Sequence, residues 1–308
     1  MDKNIKDMKI GVLMGGMSSE REISLITGGA VFSVLKENGY NAASIDVGRD
    51  LPQRIMAEGI DVAFIALHGK YGEDGTVQGL LDLMGIPYTG SSLLGSAMAM
   101  DKIISKEIYR AHNLPTPDYV ALRMTEIGKG NIPSLGKFPV VVKPANGGST
   151  IGITIVEGES GLRPAVEEAA KWDDNILIEE FIEGTLLTAG VLGDEALPVI
   201  EIAPKSGFYD YESKYTKGAT EYILPARLTD KDEEECRRLA IASHKALRCG
   251  GATRTDMILD KGGRIYILET NTIPGMTGTS LLPMAAKAAG YSFIQLVVKI
   301  LEGTLKKG

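Results

Sequence analysis

Apolar positions along the 308-residue chain change their period several times, and each change predicts an element. Lys9-Ile-Gly-Val-Leu-Met14 is a short apolar run that predicts a buried strand, stopping at Gly15-Gly16. Over 20–38 apolar side chains recur at helical spacing, and Gly39 ends that helix in the preferred way. Strands over 42–47 and 61–67, with a helix over 51–58 between them, continue the alternation. A helix over 76–84 and a short strand over 86–89 follow. Strands alternating with helices imply a parallel sheet covered on both faces, with ligands at the carboxyl ends of its strands. Gly15-Gly16 and His68-Gly69 fall at such ends.

From 91 to 112 the pattern is helical, interrupted near Asp101-Lys102. Pro115-Thr-Pro117 breaks it and marks a domain junction. Pro139-Val-Val-Val-Lys143-Pro144 predicts a buried strand ending on a lysine, and Asn146-Gly-Gly-Ser-Thr-Ile-Gly152 a glycine-rich turn. A strand over 153–156, a helix over 160–170 and a strand over 175–181 complete a small α+β unit. Strands over 186–192, 197–202 and 222–225 then surround a polar stretch, 203–220, long enough to serve as a functional lid. A helix over 231–247, a hairpin and two terminal helices split around Gly290 finish the chain.

The hairpin carries the densest chemistry. Two apolar runs, 257–259 and 265–268, flank Asp260-Lys-Gly-Gly-Arg264, which has hairpin-turn chemistry. Folding it sets Arg254 and Asp256 beside Glu269 and Asn271, and side chains two apart on a strand share a face. Asp256, Glu269 and Asn271 thus converge as hard oxygen ligands suited to Mg²⁺, with Arg254 close by. Phosphoryl transfer needs such an arrangement, because charge on the phosphate oxygens must be neutralised as it moves. Spacing alone equally fits a surface hairpin with scattered acids.

Composition narrows the classes. Hydrophobic residues make up 44% and charged residues 24%, as in ordinary globular proteins, and the length suffices for two or three domains. A net charge of −7 argues against nucleic acid as a partner, since phosphate backbones demand a basic face, but leaves nucleotides open. Cys236 and Cys249 lie near the ends of one predicted helix without metal-type spacing, which predicts buried or idle thiols. Apolar runs fall short of the roughly 18 residues of a membrane span. Met1-Asp-Lys-Asn-Ile-Lys-Asp lacks a signal-peptide core, so the expectation is a cytoplasmic protein with no membrane partner.

Four further stretches read two ways. Gly147-Gly148-Ser149-Thr150, close behind Lys143, offers backbone N–H groups and hydroxyls to an anion; it lacks the Gly-Lys-Ser/Thr of a Walker loop and equally fits a plain hairpin turn. Glu20, in the first turn of its helix, either favours the helix dipole or holds an ammonium substrate. His68, in the glycine-dense loop His68-Gly-Lys-Tyr-Gly-Glu73-Asp74-Gly75, is structural or part of a binding loop. Lys214-Tyr215, after Phe208-Tyr-Asp-Tyr211, either packs on the surface or lies in a lid over substrate.

Taken in order, these motifs resemble the D-alanine:D-alanine ligase family of the ATP-grasp superfamily over essentially the full length. The match lies in His68-Gly-x-x-Gly-Glu-Asp-Gly75 with Gln78-Gly79, Met100-Asp-Lys102, Lys143-Pro144, and Arg254-x-Asp256 through Glu269-x-Asn271-Thr-x-Pro-Gly275. The resemblance implies a three-domain α/β ATP-grasp fold: an N-terminal parallel α/β substrate domain (1–96), a central subdomain with the phosphate loop (97–180), and a catalytic, metal-binding domain (181–308) with a lid at about 203–220. The two α+β domains clamp the nucleotide. The implied reaction joins two D-alanines through an acyl phosphate, releasing ADP and phosphate, for peptidoglycan precursors. Lys102 and Lys143 would hold the α- and β-phosphates, and Gly147, Gly148, Ser149 and Thr150 would close over them. Glu179, Phe181 and Ile182 would line the adenine pocket. Asp256, Glu269 and Asn271 would carry two Mg²⁺, with Mn²⁺ a possible substitute.

The resemblance also implies that Arg254 and the backbone N–H of Gly275 stabilise the tetrahedral oxyanion. Glu20 would bind the ammonium of the first D-alanine, with His68 near its carboxylate. Ser280, Leu281 and Lys214 would receive the second, and Ser149 and Tyr215 would join Glu20 in locking the lid. Family members are usually homodimers. Three positions depart from the family pattern. Leu186 stands where a glutamate usually binds the ribose hydroxyls, which implies weaker or less selective nucleotide binding. Thr255 and Thr270 replace aliphatic residues, an expected packing change facing away from the metals. Alternatives are a D-alanine:D-lactate or other D-amino-acid ligase of the same fold, or a non-catalytic nucleotide-binding module. The intact Lys214-Tyr215 favours the dipeptide product, and Asp256, Glu269, Asn271 and Arg254 are all present.

Overall fold

The structure is a computed structural model that describes residues 4–127, 130, 132–147, 152–205 and 218–305. The first apolar run forms β1 (Ile10–Met14), buried along its whole length. Helix α1 (Arg21–Glu37) leads into β2 (Ala42–Asp46), then α2 (Leu51–Glu58), β3 (Val62–Ile65) and α3 (Thr76–Met84). Both β2 and β3 pair parallel to β1, in the order β2-β1-β3. The strand expected over 86–89 reduces to one parallel bridge, Ala63 to Tyr88. Gly85 and Gly90, both at positive φ, bend the chain on either side, and Pro87 has no N–H to extend the ladder.

Asp101 separates α4 (Leu93–Met100) from α5 (Lys102–Ala111). Its carboxylate accepts the N–H groups of Ile103 and Ile104, so one residue ends a helix and caps the next. A strand that the pattern did not announce, β4 (Tyr119–Arg123), follows the Pro115–Pro117 break, and α6 (Met124–Ile127) comes directly after it. Then come β5 (Val140–Pro144), β6 (Thr154–Val156), α7 (Glu159–Ala169) and β7 (Asn175–Glu180). These strands form an antiparallel sheet in the order β4-β7-β5-β6.

The third sheet holds β8 (Gly184–Leu192), β9 (Glu195–Ala196), β10 (Ile200–Pro204), β11 (Thr220–Ile223), β12 (Ala252–Asp260) and β13 (Ile265–Asn271). Its order is β11-β10-β8-β12-β13, with β9 on β8 and every pairing antiparallel. Helices α8 (Asp230–Ala246), α9 (Leu281–Ala288) and α10 (Phe293–Leu305) complete the chain. Each sheet falls within one of the three expected segments, but the core does not respect those limits. Leu296, Val297, Ile300 and Leu301 of α10 share one cluster with Ile10, Val12 and Phe64 of the first sheet. Among the described residues no single helix is long and apolar enough to cross a membrane.

Candidate active site

The hairpin β12–β13 places its polar side chains by means of one extra residue. Arg254 lies opposite Asn271, Thr255 opposite Thr270 and Asp256 opposite Glu269, but the next pair is Met257 with Ile267. Leu268 is therefore a bulge. A regular ladder would send alternate side chains to opposite faces, and one added residue reverses the phase beyond it. Leu268 and Glu269 both line the cavity, while Ile267 and Met257 go into the core. Asp256 is held from three sides. The Arg254 guanidinium donates to both its oxygens (3.1 and 3.2 Å), Thr188 Oγ1 donates at 2.6 Å, and Asn271 Nδ2 at 3.2 Å.

Thr255 and Thr270 do face away from these groups, but they are more than a packing change. They hydrogen-bond to each other at 3.0 Å, Tyr109 donates to Thr270 Oγ1 at 3.0 Å, and Ser243 lies 2.6 Å from the same oxygen. All four are buried, so this hydroxyl cluster ties the hairpin to α5 and α8.

The cations come from α5, beside the hairpin, and from the second sheet across the cavity. Lys102 opens α5, and its ammonium donates to the Gly147 carbonyl at 2.6 Å and lies 3.6 Å from Glu269 Oε2. Lys143, near the end of β5, pairs with Glu179 of β7, whose second oxygen takes Lys106. Burial pushes the Glu179 carboxyl up, but the two ammonium groups outweigh it and hold the group below its ordinary value. Burial drives the Lys106 ammonium down to about 8. Lys106 escaped the sequence reading because a lysine in an amphipathic helix reads as a solvated side chain.

Between the second and third sheets lies a cavity of about 990 Å³, within the range of small-molecule sites. Val141, Phe181, Ile182, Leu186, Ile202 and Leu268 make one stretch of its wall apolar. Lys102, Lys143, Asp256 and Glu269 make another stretch charged. Leu186 sits between Ile202 and Ile258 of the adjoining strands. Three carboxylates that sequence reasoning did not single out share this wall. Glu180 pairs with Lys137 at 2.8 Å and Glu183 with Lys261 at 2.7 Å, while buried Glu201 is gripped by Arg227. Alternation along β10 would have placed Glu201 on one face, but only the fold puts a cavity there.

Glu20 and Gly69 reach the cavity from loops beside the first sheet. Glu20 precedes α1, its N–H bonded to Ser18 Oγ, which in turn donates to the His68 carbonyl at 2.7 Å. Gly69 has φ +69°, and a Cβ there would lie 2.4 Å from Glu20 Oε2. The His68 ring is hydrogen-bonded to Thr27 at 3.1 Å. A Cβ on Gly275 would stand 2.9 Å from Ser280 Oγ, so these two are neighbours at the start of α9. The Leu281 side chain is buried in the core, leaving its backbone N–H at the helix start as the group a binding role would use. Arg254 and Asn271 stand one hydrogen bond behind Asp256. Gly148, Ser149, Thr150, Lys214 and Tyr215 lie outside the described residues. The ends of the expected lid are described: Lys205 N–H bonds to the Ala219 carbonyl at 2.9 Å, and Ala203 and Pro204 line the cavity.

Among the described residues no three His, Cys, Asp or Glu side chains cluster as a self-sufficient metal site. Asp256 and Glu269, opposite each other, and Asn271 beside Asp256 make a partial oxygen set. Such a set fits a hard cation that takes its remaining ligands from phosphate and water. An amide rotation would exchange Asn271 Nδ2 for its oxygen in place.

Comparison with known proteins decides the family. The model described as "D-ala D-ala ligase C-terminus" matches residues 108–302, and "D-ala D-ala ligase N-terminus" matches 47–91. The chain belongs to the D-Ala-D-Ala ligase family. A D-alanine–D-alanine ligase of Syntrophotalea carbinolica is 51% identical over 302 residues, covering 98% of this chain and 97% of that protein. One from Geobacter sulfurreducens is 50% identical, covering 96% and 94%. Among solved D-Ala-D-Ala ligases, that of Bacillus anthracis complexed with ATP has a TM-score of 0.84 at 37% identity, covering 97% of this chain and 98% of its own. VanG D-Ala:D-Ser ligase from Enterococcus faecalis has a TM-score of 0.83 at 31% identity, covering 96% and 99%. The mixed α/β architecture thus carries the ATP-grasp fold of the D-Ala-D-Ala ligases.

Proposed function

We propose that this protein joins two D-alanines to D-alanyl-D-alanine at the expense of ATP, through an acyl phosphate. The observation that carries the reading is the cavity between the two antiparallel sheets, with Lys102 and Lys143 facing Asp256 and Glu269 and with Glu20 at its first-domain side. Lys102 and Lys143 hold the α- and β-phosphates, and Phe181 and Ile182 cover the adenine, with Glu179 beside them. The segment Gly147, Gly148, Ser149 and Thr150 closes over the phosphates. Mg²⁺ held by Asp256, Glu269 and Asn271 supplies neutralising charge at the phosphate oxygens when bound.

The first D-alanine binds with its ammonium on Glu20 and its carboxylate near His68. That carboxylate attacks the γ-phosphate, the bond to the β-phosphate breaks with ADP as leaving group, and the D-alanine becomes an acyl phosphate. The amine of the second D-alanine, whose carboxylate rests on Ser280, the Leu281 N–H and Lys214, then attacks the activated carbonyl and expels phosphate. Arg254 and the Gly275 N–H stabilise the oxyanion that forms, which fixed dipoles do best in a dry site. Ser149 and Tyr215 join Glu20 to hold the 203–220 segment closed, keeping water from the acyl phosphate. The segments 1–96, 97–180 and 181–308 act as substrate, phosphate-loop and catalytic domains. The test is phosphate release with MgATP and D-alanine, against L-alanine and against D-alanine plus D-lactate. Release that requires D-alanine and yields the dipeptide supports the reading. ATP binding without D-alanine-dependent release refutes it, and release only with D-lactate present points to the depsipeptide ligase.

A further inference from the structure

The most deeply buried charges in the molecule include one with no task so far. Lys106 lies one turn beyond Lys102 on α5, with 0% of its surface exposed. It meets one oxygen of Glu179, itself 2% exposed, while Lys143 meets the other. Lys106 also donates to Thr116 Oγ1 at 2.6 Å, and Thr116 donates to the Ile267 carbonyl of β13 at 2.9 Å. Two ammonium groups and one carboxylate leave the trio with one net positive charge, in surroundings where water screens little. Without Lys106, Glu179 and Lys143 form a closed neutral pair. A buried carboxylate left with one cation holds that cation fast.

We infer that Lys106 is a positioning residue: by holding and neutralising Glu179 from behind, it leaves the charge of Lys143 available to an anion in the cavity. The inference rests on the nucleotide reading above and names the group that sets the charge at its phosphate end. Lys143 and Glu179 line the cavity and Lys106 does not, so Lys106 acts through Glu179. The groups facing its ammonium are Glu179 on β7, Lys143 on β5, Tyr119 on β4 (ring centroid at 5.7 Å) and Arg110 on its own helix. Burial lowers the ammonium to about 8, and Lys143 and Arg110 push the same way against Glu179. A bound phosphate favours the protonated form. Nucleotide affinity therefore falls as pH rises through about 8, where Lys106 loses its proton.

The experiment is calorimetric titration of MgADP into the wild-type protein, Lys106→Met, Glu179→Gln and Lys106→Met/Glu179→Gln at pH 7 and pH 9, with thermal melts of each. Wild-type affinity is expected to drop about five- to tenfold between the two pH values, following one proton lost near pH 8. Lys106→Met should bind about tenfold more weakly at pH 7 and lose that pH dependence. Glu179 itself lines the cavity, so Glu179→Gln alone is the reference for the double variant. Adding Lys106→Met to Glu179→Gln should cost less than about threefold, since no buried carboxylate is left to cancel Lys143, whereas a merely structural lysine would cost the same in either background. Wild-type affinity in Lys106→Met, or an equal loss in both backgrounds, overturns the inference. Should Lys106→Met fail to fold, the comparison of Glu179→Gln with the double variant decides alone, a loss under about threefold supporting the inference and a loss of about tenfold refuting it. A wild-type protein that binds no MgADP refutes the nucleotide reading itself, and this inference with it.

Discussion

Gly69→Ala separates the geometry of the first amino-acid subsite from the stability of the fold. The new Cβ would stand 2.4 Å from Glu20 Oε2, about 1 Å inside ordinary van der Waals contact, and φ is +69°. The left-handed backbone costs alanine about 1–2 kcal/mol. The clash itself is with the tip of a flexible side chain, so the protein relieves it by swinging the Glu20 carboxylate aside rather than by moving the backbone. Stability should therefore fall by roughly the backbone strain alone, while the proposed ammonium-binding group is displaced by about 1 Å. Misplacement on that scale costs on the order of 10²-fold in kcat/KM. The loss should appear for D-alanine at the first subsite, with the KM for ATP unchanged, in an assay that follows phosphate release while each substrate is varied. Gly59→Ala is the control. It shares the strain at φ +60°, and a Cβ there meets nothing within 4 Å. Wild-type D-alanine kinetics in Gly69→Ala, or an equal loss in Gly59→Ala, would refute the reasoning.

Leu186→Glu should lower the KM for ATP. A charged hydrogen-bond acceptor restored on the cavity wall contributes roughly 1.5–3 kcal/mol, or about 10- to 150-fold, and an unchanged KM counts against the assignment of that wall to the ribose. Asp256→Asn and Glu269→Gln should each weaken Mn²⁺ binding about tenfold or more, read by water-proton relaxation without turnover; unchanged titrations would remove them from the metal set. Acid should destabilise the fold through His244, which burial lowers to about 4 and which lies 2.8 Å from Thr253 Oγ1. The unfolded chain takes up this proton near 6.5 and the folded one only near 4, so stability drops as pH falls through that window. His244→Gln should flatten the slope of unfolding free energy against pH between those values, measured by urea denaturation; an unaltered slope would refute it.

The β12–β13 hairpin was legible because its signals are local. Turn chemistry at 260–264 fixed the pairing, and the period of two then put Asp256, Glu269 and Asn271 on one side. The bulge was not legible, since Leu268 belongs to an unbroken apolar run and only the ladder reveals which residue is extra. Strand β4 escaped because its five residues alternate weakly and follow a proline break. Thr255 and Thr270 were placed on the correct face, yet their partners Tyr109 and Ser243 come from helices far away in sequence. Lys106 and Glu179 show the limit most sharply. Nothing near either residue marks it as buried, and the meaning of each depends on a third residue in another strand.

The return of α10 to the first sheet decides which parts of the cleft share a core. Its side chains weld the beginning and end of the chain into one block, and Ala99, Tyr109 and Leu114 around α4 and α5 are rooted in the core of the third sheet. The sheet β4-β7-β5-β6 and α7 keep a separate core of their own. The cleft thus divides two separately packed bodies, with Lys143 on the smaller and Asp256, Glu269 and Lys102 on the larger. A displacement of one body against the other would change the distance from Lys143 to the Asp256–Glu269 wall while leaving Lys102 in register with that wall. The Lys106–Glu179 pair bridges the two bodies.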